Sequence, residues 1–129
     1  MLYMFTLYWD DNAPPGDMDE IMGAHYAVAD RARSRNAYIA SEALGGRANA
    51  TTVRVREGKT MVTDGPFAET KEVMGGFYIL DCKDLDEALE YAAQIPDSWH
   101  GAVEVRPVMH VPGWKYATAP DRERSPMGS

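Results

Sequence analysis

The order of elements along this 129-residue chain predicts an α+β fold: a split βαβ, or ferredoxin-like, sheet with two helices on one face. Three observations support it. Apolar runs at 2–9 and 75–81 have the composition of buried strands. Acidic capping motifs open two segments whose apolar residues recur at helical spacing. Two further stretches, 51–56 and 103–106, alternate apolar and charged residues as half-buried strands do.

The first strand is predicted over LYMFTLYW (2–9), and the turn-forming residues Asp-Asp-Asn-Ala-Pro-Pro-Gly end it. The first helix is predicted over about 18–36. Asp17 and Glu20 form an acidic variant of the capping box at its start, and Asn36 suits a left-handed cap at its end.

In the middle of the chain, the alternating valines and arginines of 51–56 predict a half-buried strand. Glu57-Gly58 predicts a two-residue turn into a second strand. Asp84 caps the second helix, and Ile95-Pro96 ends it because a residue before proline disfavours helical dihedrals. The predicted domain spans 1–113, followed by a polar, loosely ordered tail at 114–129.

The two central strands, the first and the one at 75–80, are apolar on both faces, while the helices cover only one face. A second copy packed on the open face is the economical solution. The sequence therefore predicts a homodimer in which two sheets face each other as a dimeric α+β barrel.

Composition excludes several classes of function. With 13 Lys or Arg against 20 Asp or Glu, the net charge is −7, so neither nucleic acid nor a membrane surface is an expected partner. The single cysteine forms no internal disulfide, which favours the cytoplasm. Three scattered histidines lack zinc-ligand spacing, and glycine-rich phosphate motifs are absent, so we expect no metal and no cofactor.

The segment 64–72 reads Asp-Gly-Pro-Phe-Ala-Glu-Thr-Lys-Glu and resembles the signature of the DGPF branch of the YCII-related family. Val103–Val108 resembles the C-terminal signature of that branch, Thr52–Arg54 and Gly75–Tyr78 also match, and the resemblance spans roughly 1–112. It implies a dimeric α+β barrel of unassigned activity, often encoded beside extracytoplasmic-function sigma factors.

The resemblance also implies an active-site histidine on the first helix, paired with an aspartate. His25 lies on that helix, without the Arg-x-x-His context of the wider family. Where the other branch has an Asp-Pro-Phe after the second helix, this chain has Pro96-Asp97-Ser98-Trp99. By its position in the apolar stripe, His25 is either a hydrogen-bonded core residue or a proton-transfer group, since imidazole titrates near neutral pH.

The loop at 64–72 has two interpretations. In one, Asp64 accepts hydrogen bonds from nearby amides and Phe67 anchors the loop by burial, so the loop is purely structural. In the other, Asp64 is a proton-transfer residue, with Glu69 and Lys71 beside it in a cleft.

Charged strand residues are the candidate binding groups. Arg54 and Arg106 can hold a small anion or carboxylate through paired hydrogen bonds, with Glu104 and Tyr78 beside them. The alternative is a buried arginine–glutamate network at the dimer interface, or a solvated face.

Together these features predict a cytoplasmic homodimer that binds a small organic molecule between sheet and helices, with acid/base chemistry by Asp64 and His25. A non-enzymatic regulatory or interaction module working with a sigma-factor system is the rival hypothesis. An oxygenase-like or isomerase-like activity rests on fold analogy alone.

Overall fold

The structure, a computed structural model, describes residues 1–13 and 16–114 and the backbone of residues 125 and 126. Within these residues the strands are β1 (Leu2–Trp9), β2 (Tyr38–Ala43), β3 (Thr51–Arg56), β4 (Lys59–Asp64), β5 (Val73–Asp81), β6 (Ala102–Pro107), β7 (Met109–His110) and β8 (Ser125–Pro126). The helices are α1 (Met18–Ser34), α2 (Leu85–Gln94) and α3 (Asp97–His100), with a 3-10 turn at Arg47–Asn49.

The main sheet has four antiparallel strands in the order β2-β5-β1-β6. This confirms the predicted α+β class and places β1 and β5 at the centre. Alternate residues of β1, Tyr3, Phe5 and Leu7, share a buried cluster with Val28 of α1 and Tyr91 of α2. Since side chains alternate between faces along a strand, both long helices cover this one face of the sheet.

The hairpin at 51–64 corrects the predicted topology. Among the described residues, strands β3 and β4 pair only with each other and form a separate two-stranded sheet, while β2 forms the edge of the main sheet. Val53 and Val55 are 60% and 57% exposed, so the expectation of a half-buried strand is wrong. The predicted turn is confirmed, because Glu57 and Gly58 both have positive φ, 52° and 75°, as a type I′ turn requires.

The helix ends agree with the capping predictions. The Asp17 carboxylate accepts from the amides of Asp19 and Glu20, and the Asp84 carboxylate accepts from that of Glu87. Asn36 has a φ of 55°, in the left-handed region expected after a helix. The capping residues thus lie within one turn of the positions where these helices begin or end.

The loop between β4 and β5 is not anchored as predicted. Phe67 is 78% exposed, so its expected burial is wrong. The loop is instead held by Thr52, whose hydroxyl donates to the Gly65 carbonyl at 2.8 Å, and by Arg47, which donates to the carbonyls of Thr70 and Lys71. Hydrogen bonds from polar side chains outside the loop therefore hold it in place of the predicted burial of Phe67.

None of the helices in the described ranges is long and apolar enough to cross a membrane. The predicted C-terminal tail falls almost entirely outside the described residues, at 115–124 and 127–129.

Candidate functional site

A cavity of about 320 Å³ lies between α1, the strands β1, β2 and β5, and the start of α3. This volume is at the lower end of the range for small-molecule sites. Most of its wall is apolar or aromatic, formed by Leu7, Trp9, Met18, Ile21, Met22 and Phe77.

A hydrogen-bonded group of three polar side chains lies in this wall, and Ser41 and His100 also line the cavity. The His25 ring lies between two partners, with Nε2 at 3.0 Å from the Asp97 carboxylate and Nδ1 at 2.7 Å from the Tyr78 hydroxyl. All three residues line the cavity. The side chains of His25 and Asp97 are 19% and 15% exposed, so the ion pair is largely shielded from water.

Three separate elements position these side chains. His25 follows the buried Ile21 by one turn of α1, so both lie on the face that points toward the sheet. Tyr78 lies on the helix-covered side of β5 and belongs to the buried core. Asp97 is the first residue of α3, immediately after Ile95-Pro96 ends α2.

The protonation of Tyr78 determines what this group can do. Burial, reinforced by the Asp97 carboxylate, raises the pKa of Tyr78 to about 12. The hydroxyl therefore keeps its proton at neutral pH. In the tautomer of His25 that carries its proton on Nε2, facing Asp97, the Tyr78 hydroxyl donates to Nδ1. If His25 gains a second proton, both nitrogens donate, and the Tyr78 hydroxyl can turn its own proton toward the cavity. Asp97, His25 and Tyr78 thus form a path for one proton.

Trp9 forms a second part of the wall, and a glycine makes room for it. A Cβ on Gly75 would lie only 2.4 Å from the indole Nε1 of Trp9. Within the described part of the chain the indole N–H has no hydrogen-bond partner. The indole of Trp9 therefore packs over Gly75 and contributes aromatic surface to the cavity wall.

The YCII-related domain model matches residues 1–112. The chain belongs to the YCII-related family. It is also 49% identical over 67 residues to uncharacterized protein R00369 of Rhizobium meliloti (strain 1021), a match that covers 50% of this chain and 54% of that relative. The chain thus matches about half the length of that relative.

In this YCII-related protein, the histidine of the first helix and an aspartate after the second helix are in contact. Of the residues predicted from the sequence, the structure brings His25 and Tyr78 together at the cavity. The other candidates do not line it: Asp64, Glu69 and Lys71 are exposed around the β4–β5 loop, Arg54 is exposed on the hairpin, and Glu104 and Arg106 are exposed on β6.

The predicted anion-holding arginines also lie apart from each other. Arg54 is on the separate hairpin sheet and donates to the Phe67 carbonyl at 3.5 Å, whereas Arg106 is on the edge of the main sheet. Within the described chain the Asp64 side chain makes no hydrogen bond, so it does not cap the loop as one interpretation expected.

Neither Trp9 nor Arg47 is recognisable as a site residue from the sequence, and the same holds for the contact of Asp97 with His25. The only signal for Asp97 was its place after the second helix. Arg47 joins the β1–α1 loop to the β4–β5 loop, and its Nε donates to Asp11 at 2.6 Å. Hydrogen bonds from Arg47 lower the pKa of the Asp11 carboxyl. No three His, Cys, Asp or Glu side chains in the described ranges lie close enough together to hold a metal ion.

Stability at alkaline pH is a test of the burial described above. Burial raises the pKa of Cys82 from 9.0 to about 12, and that of Tyr78 from 10.0 to about 12. As the pH rises, Cys82 and Tyr78 lose their protons in the unfolded chain at a lower pH than in the folded protein. The contribution of the two buried groups to stability is therefore complete below pH 9 and is lost as the pH rises toward 12. We expect the urea midpoint to fall across this range. In Cys82→Ala the urea midpoint should fall less steeply with pH just above pH 9. If the midpoint of this variant falls as steeply as that of the wild type, the thiol is not buried.

Proposed function

We propose that this protein binds a small organic molecule in the cavity and transfers a proton to or from it through Tyr78 and His25. The observation that carries the proposal is His25 held between Asp97 and Tyr78 at the wall of a mostly apolar cavity. Placing an ionisable pair next to apolar surface lowers stability, because the pair loses hydration. Its presence at the cavity wall therefore favours a functional role over a purely structural one.

Each residue has a distinct role in this proposal. Tyr78 contacts the ligand and exchanges a proton with it. His25 accepts the proton that Tyr78 passes on, and Asp97 orients the ring and stabilises the imidazolium, as the aspartate of a catalytic triad does. The apolar walls exclude water, which strengthens the interaction between Asp97 and the charged ring. Asp64, which lies outside the cavity, has no part in this path.

A fragment screen by ligand-observed NMR tests the proposal. We expect fragments that bind the wild-type protein to bind Tyr78→Phe and His25→Gln more weakly, by about tenfold for each lost hydrogen bond to a charged or polarised group. His110→Gln is the matched control, since His110 does not line the cavity. If every fragment binds all four proteins equally, the Tyr78–His25 pair is not part of a binding site.

The homodimer remains part of the proposal. Met4 and Ile79 on the face opposite the helices stay partly exposed, and the hairpin exposes Val53 and Val62 at 60% and 62%. An isolated hairpin is marginally stable in water, so these valines favour a further packing partner. The hairpin also carries Arg54, Arg56 and Lys59 in a chain of net charge −7, and a second copy offers the complementary acidic surface.

Light scattering tests the dimer directly. At micromolar concentration we expect twice the monomer mass of 14.3 kDa. Val62→Glu should shift the equilibrium toward the monomer, while Leu89→Glu, on an exposed position of α2, should not. A wild-type monomer at these concentrations would contradict the barrel.

A non-enzymatic interaction module is the second candidate, and the exposed hairpin is the observation that favours it. In that case the hairpin contacts a different protein, and the cavity has no chemical role. Loss of partner binding in Val62→Glu, with no fragment bound at the cavity, would favour this function over the first. A partner from a sigma-factor system is suggested by the family resemblance alone.

A further inference from the structure

We propose that the ligand of this cavity is a neutral, ring-sized molecule with a phenol-type hydroxyl, held by Trp9 and deprotonated through Tyr78. This inference rests on the proposed function and specifies its substrate class. Three features of the cavity support it: its charge, its size and the placement of its hydrogen-bonding groups.

The charge of the cavity disfavours anions. None of the described residues that line it is Lys or Arg, whereas the Asp97 carboxylate lies at its wall beside His25. A carboxylate or phosphate entering this space would lose its hydration without gaining a cation, which is strongly unfavourable. The arginines that the sequence suggested as anion holders, Arg54 and Arg106, do not line the cavity. A ligand that arrives without charge avoids this cost.

The size and lining of the cavity suit an aromatic ring. An apolar cavity of about 150 Å³ is enough to bind benzene, so about 320 Å³ accommodates a substituted ring. Trp9 and Tyr26 contribute aromatic surface to the wall, and aromatic rings pack favourably against one another. The methionines at 18 and 22 add flexible side chains that adapt to ring substituents.

The polar groups specify a hydroxyl that gives up its proton. The ligand O–H donates to the Tyr78 oxygen while the proton of Tyr78 moves to Nδ1 of His25. The products are the ligand oxyanion and an imidazolium ion paired with Asp97, so charge and protons balance. The Tyr78 hydroxyl, which now carries the proton of the ligand, then donates to the oxyanion, and the indole of Trp9 packs against the ring of the ligand. A carbonyl or ether oxygen on the ligand supplies no proton, so the Tyr78 hydroxyl stays bonded to Nδ1 of His25 and makes no bond to that ligand.

Three probes of nearly equal size separate these requirements. At a pH below its pKa, 4-nitrophenol is neutral and carries a hydroxyl that can give up a proton. The methyl ether 4-nitroanisole is neutral and has no such proton, and 4-nitrobenzoate is an anion. Binding is measured by calorimetry at a pH where 4-nitrophenol is mostly protonated, and the visible band of its phenolate reports proton transfer in the complex. Thermal unfolding of each variant shows that it is folded, and His110→Gln is the control.

We expect 4-nitrophenol to bind at least about tenfold more tightly than 4-nitrobenzoate. The bound probe should show more phenolate than the free probe at the same pH, and His25→Gln should remove that excess. Tyr78→Phe should weaken 4-nitrophenol binding by about tenfold and leave 4-nitroanisole unchanged. Trp9→Leu should weaken both neutral probes, because it removes ring contact.

Two outcomes overturn the inference in different ways. In the first outcome, 4-nitrobenzoate binds as tightly as 4-nitrophenol, and Tyr78→Phe or His25→Gln weakens its binding. The site then accepts anions, so the substrate class is wrong while the proposed function stands. If no probe binds and no fragment is sensitive to Tyr78 or His25, both the substrate class and the proposed function are wrong.

Discussion

Phe5→Ala is expected to lower the free energy of unfolding by about 3–5 kcal/mol, and Phe67→Ala to change it by less than about 0.5 kcal/mol. The two residues carry the same side chain in opposite environments. Phe5 is 0% exposed in the centre of β1, where truncation leaves a cavity in the core, whereas Phe67 is 78% exposed in the β4–β5 loop. Urea unfolding of the two variants under identical conditions measures the difference.

The comparison also tests the path of the loop. A loss above about 2 kcal/mol for Phe67→Ala would show that this ring is buried in solution, against the chain itself or against a second copy. Repeating the measurement at several protein concentrations separates these cases, because only burial against a second copy makes the loss depend on concentration.

For a substrate identified among the bound fragments, His25→Gln is expected to lower the rate of the reaction by roughly 10²–10⁴-fold. Glutamine keeps hydrogen-bonding capacity but cannot take up the proton from Tyr78. Asp97→Asn should also lower the rate strongly while leaving substrate affinity nearly unchanged, because the amide no longer stabilises the imidazolium.

A ring-nitrogen NMR spectrum tests the same group without a substrate. The chain has 3 histidines, so His25→Gln identifies the signal of His25. In the neutral ring we expect the proton on Nε2, facing Asp97, and a lone pair on Nδ1, facing Tyr78. In Asp97→Asn we expect both tautomers. If the neutral ring of the wild-type protein carries its proton on Nδ1, the proposed direction of transfer is wrong. In the rate measurement, an unaltered rate in His25→Gln would exclude His25 from the chemistry.

Features that depend on a few neighbouring residues were predictable from the sequence. Asp17 and Asp84 cap their helices because a short acceptor at that position reaches amides one turn ahead. The backbone angles that Glu57-Gly58 adopts are those required by a two-residue turn between paired strands. The central strands β1 and β5 were also predictable, because apolar residues on both faces fit only the middle of a sheet.

The edge of the sheet depended on longer-range pairing. In β2 the register with β5 shifts between Tyr38 and Ala40, which disturbs the alternation that identifies a strand. The hairpin has clear alternation but pairs with no strand of the main sheet. Alternation shows that a segment is extended, and it does not specify which strand the segment joins.

The site, in contrast, forms only when distant elements pack together. His25 and Tyr78 are 53 residues apart in the sequence, and Asp97 comes from a third element. Their contact depends on how α1 packs on β5 and where the chain turns after α2. The exposure of Phe67 has the same origin, since an apolar side chain is buried only if the path of its loop brings it to the core. Local patterns encode hydrogen bonds and dihedral angles along the chain, whereas a site assembled across a sheet depends on the packing of distant elements.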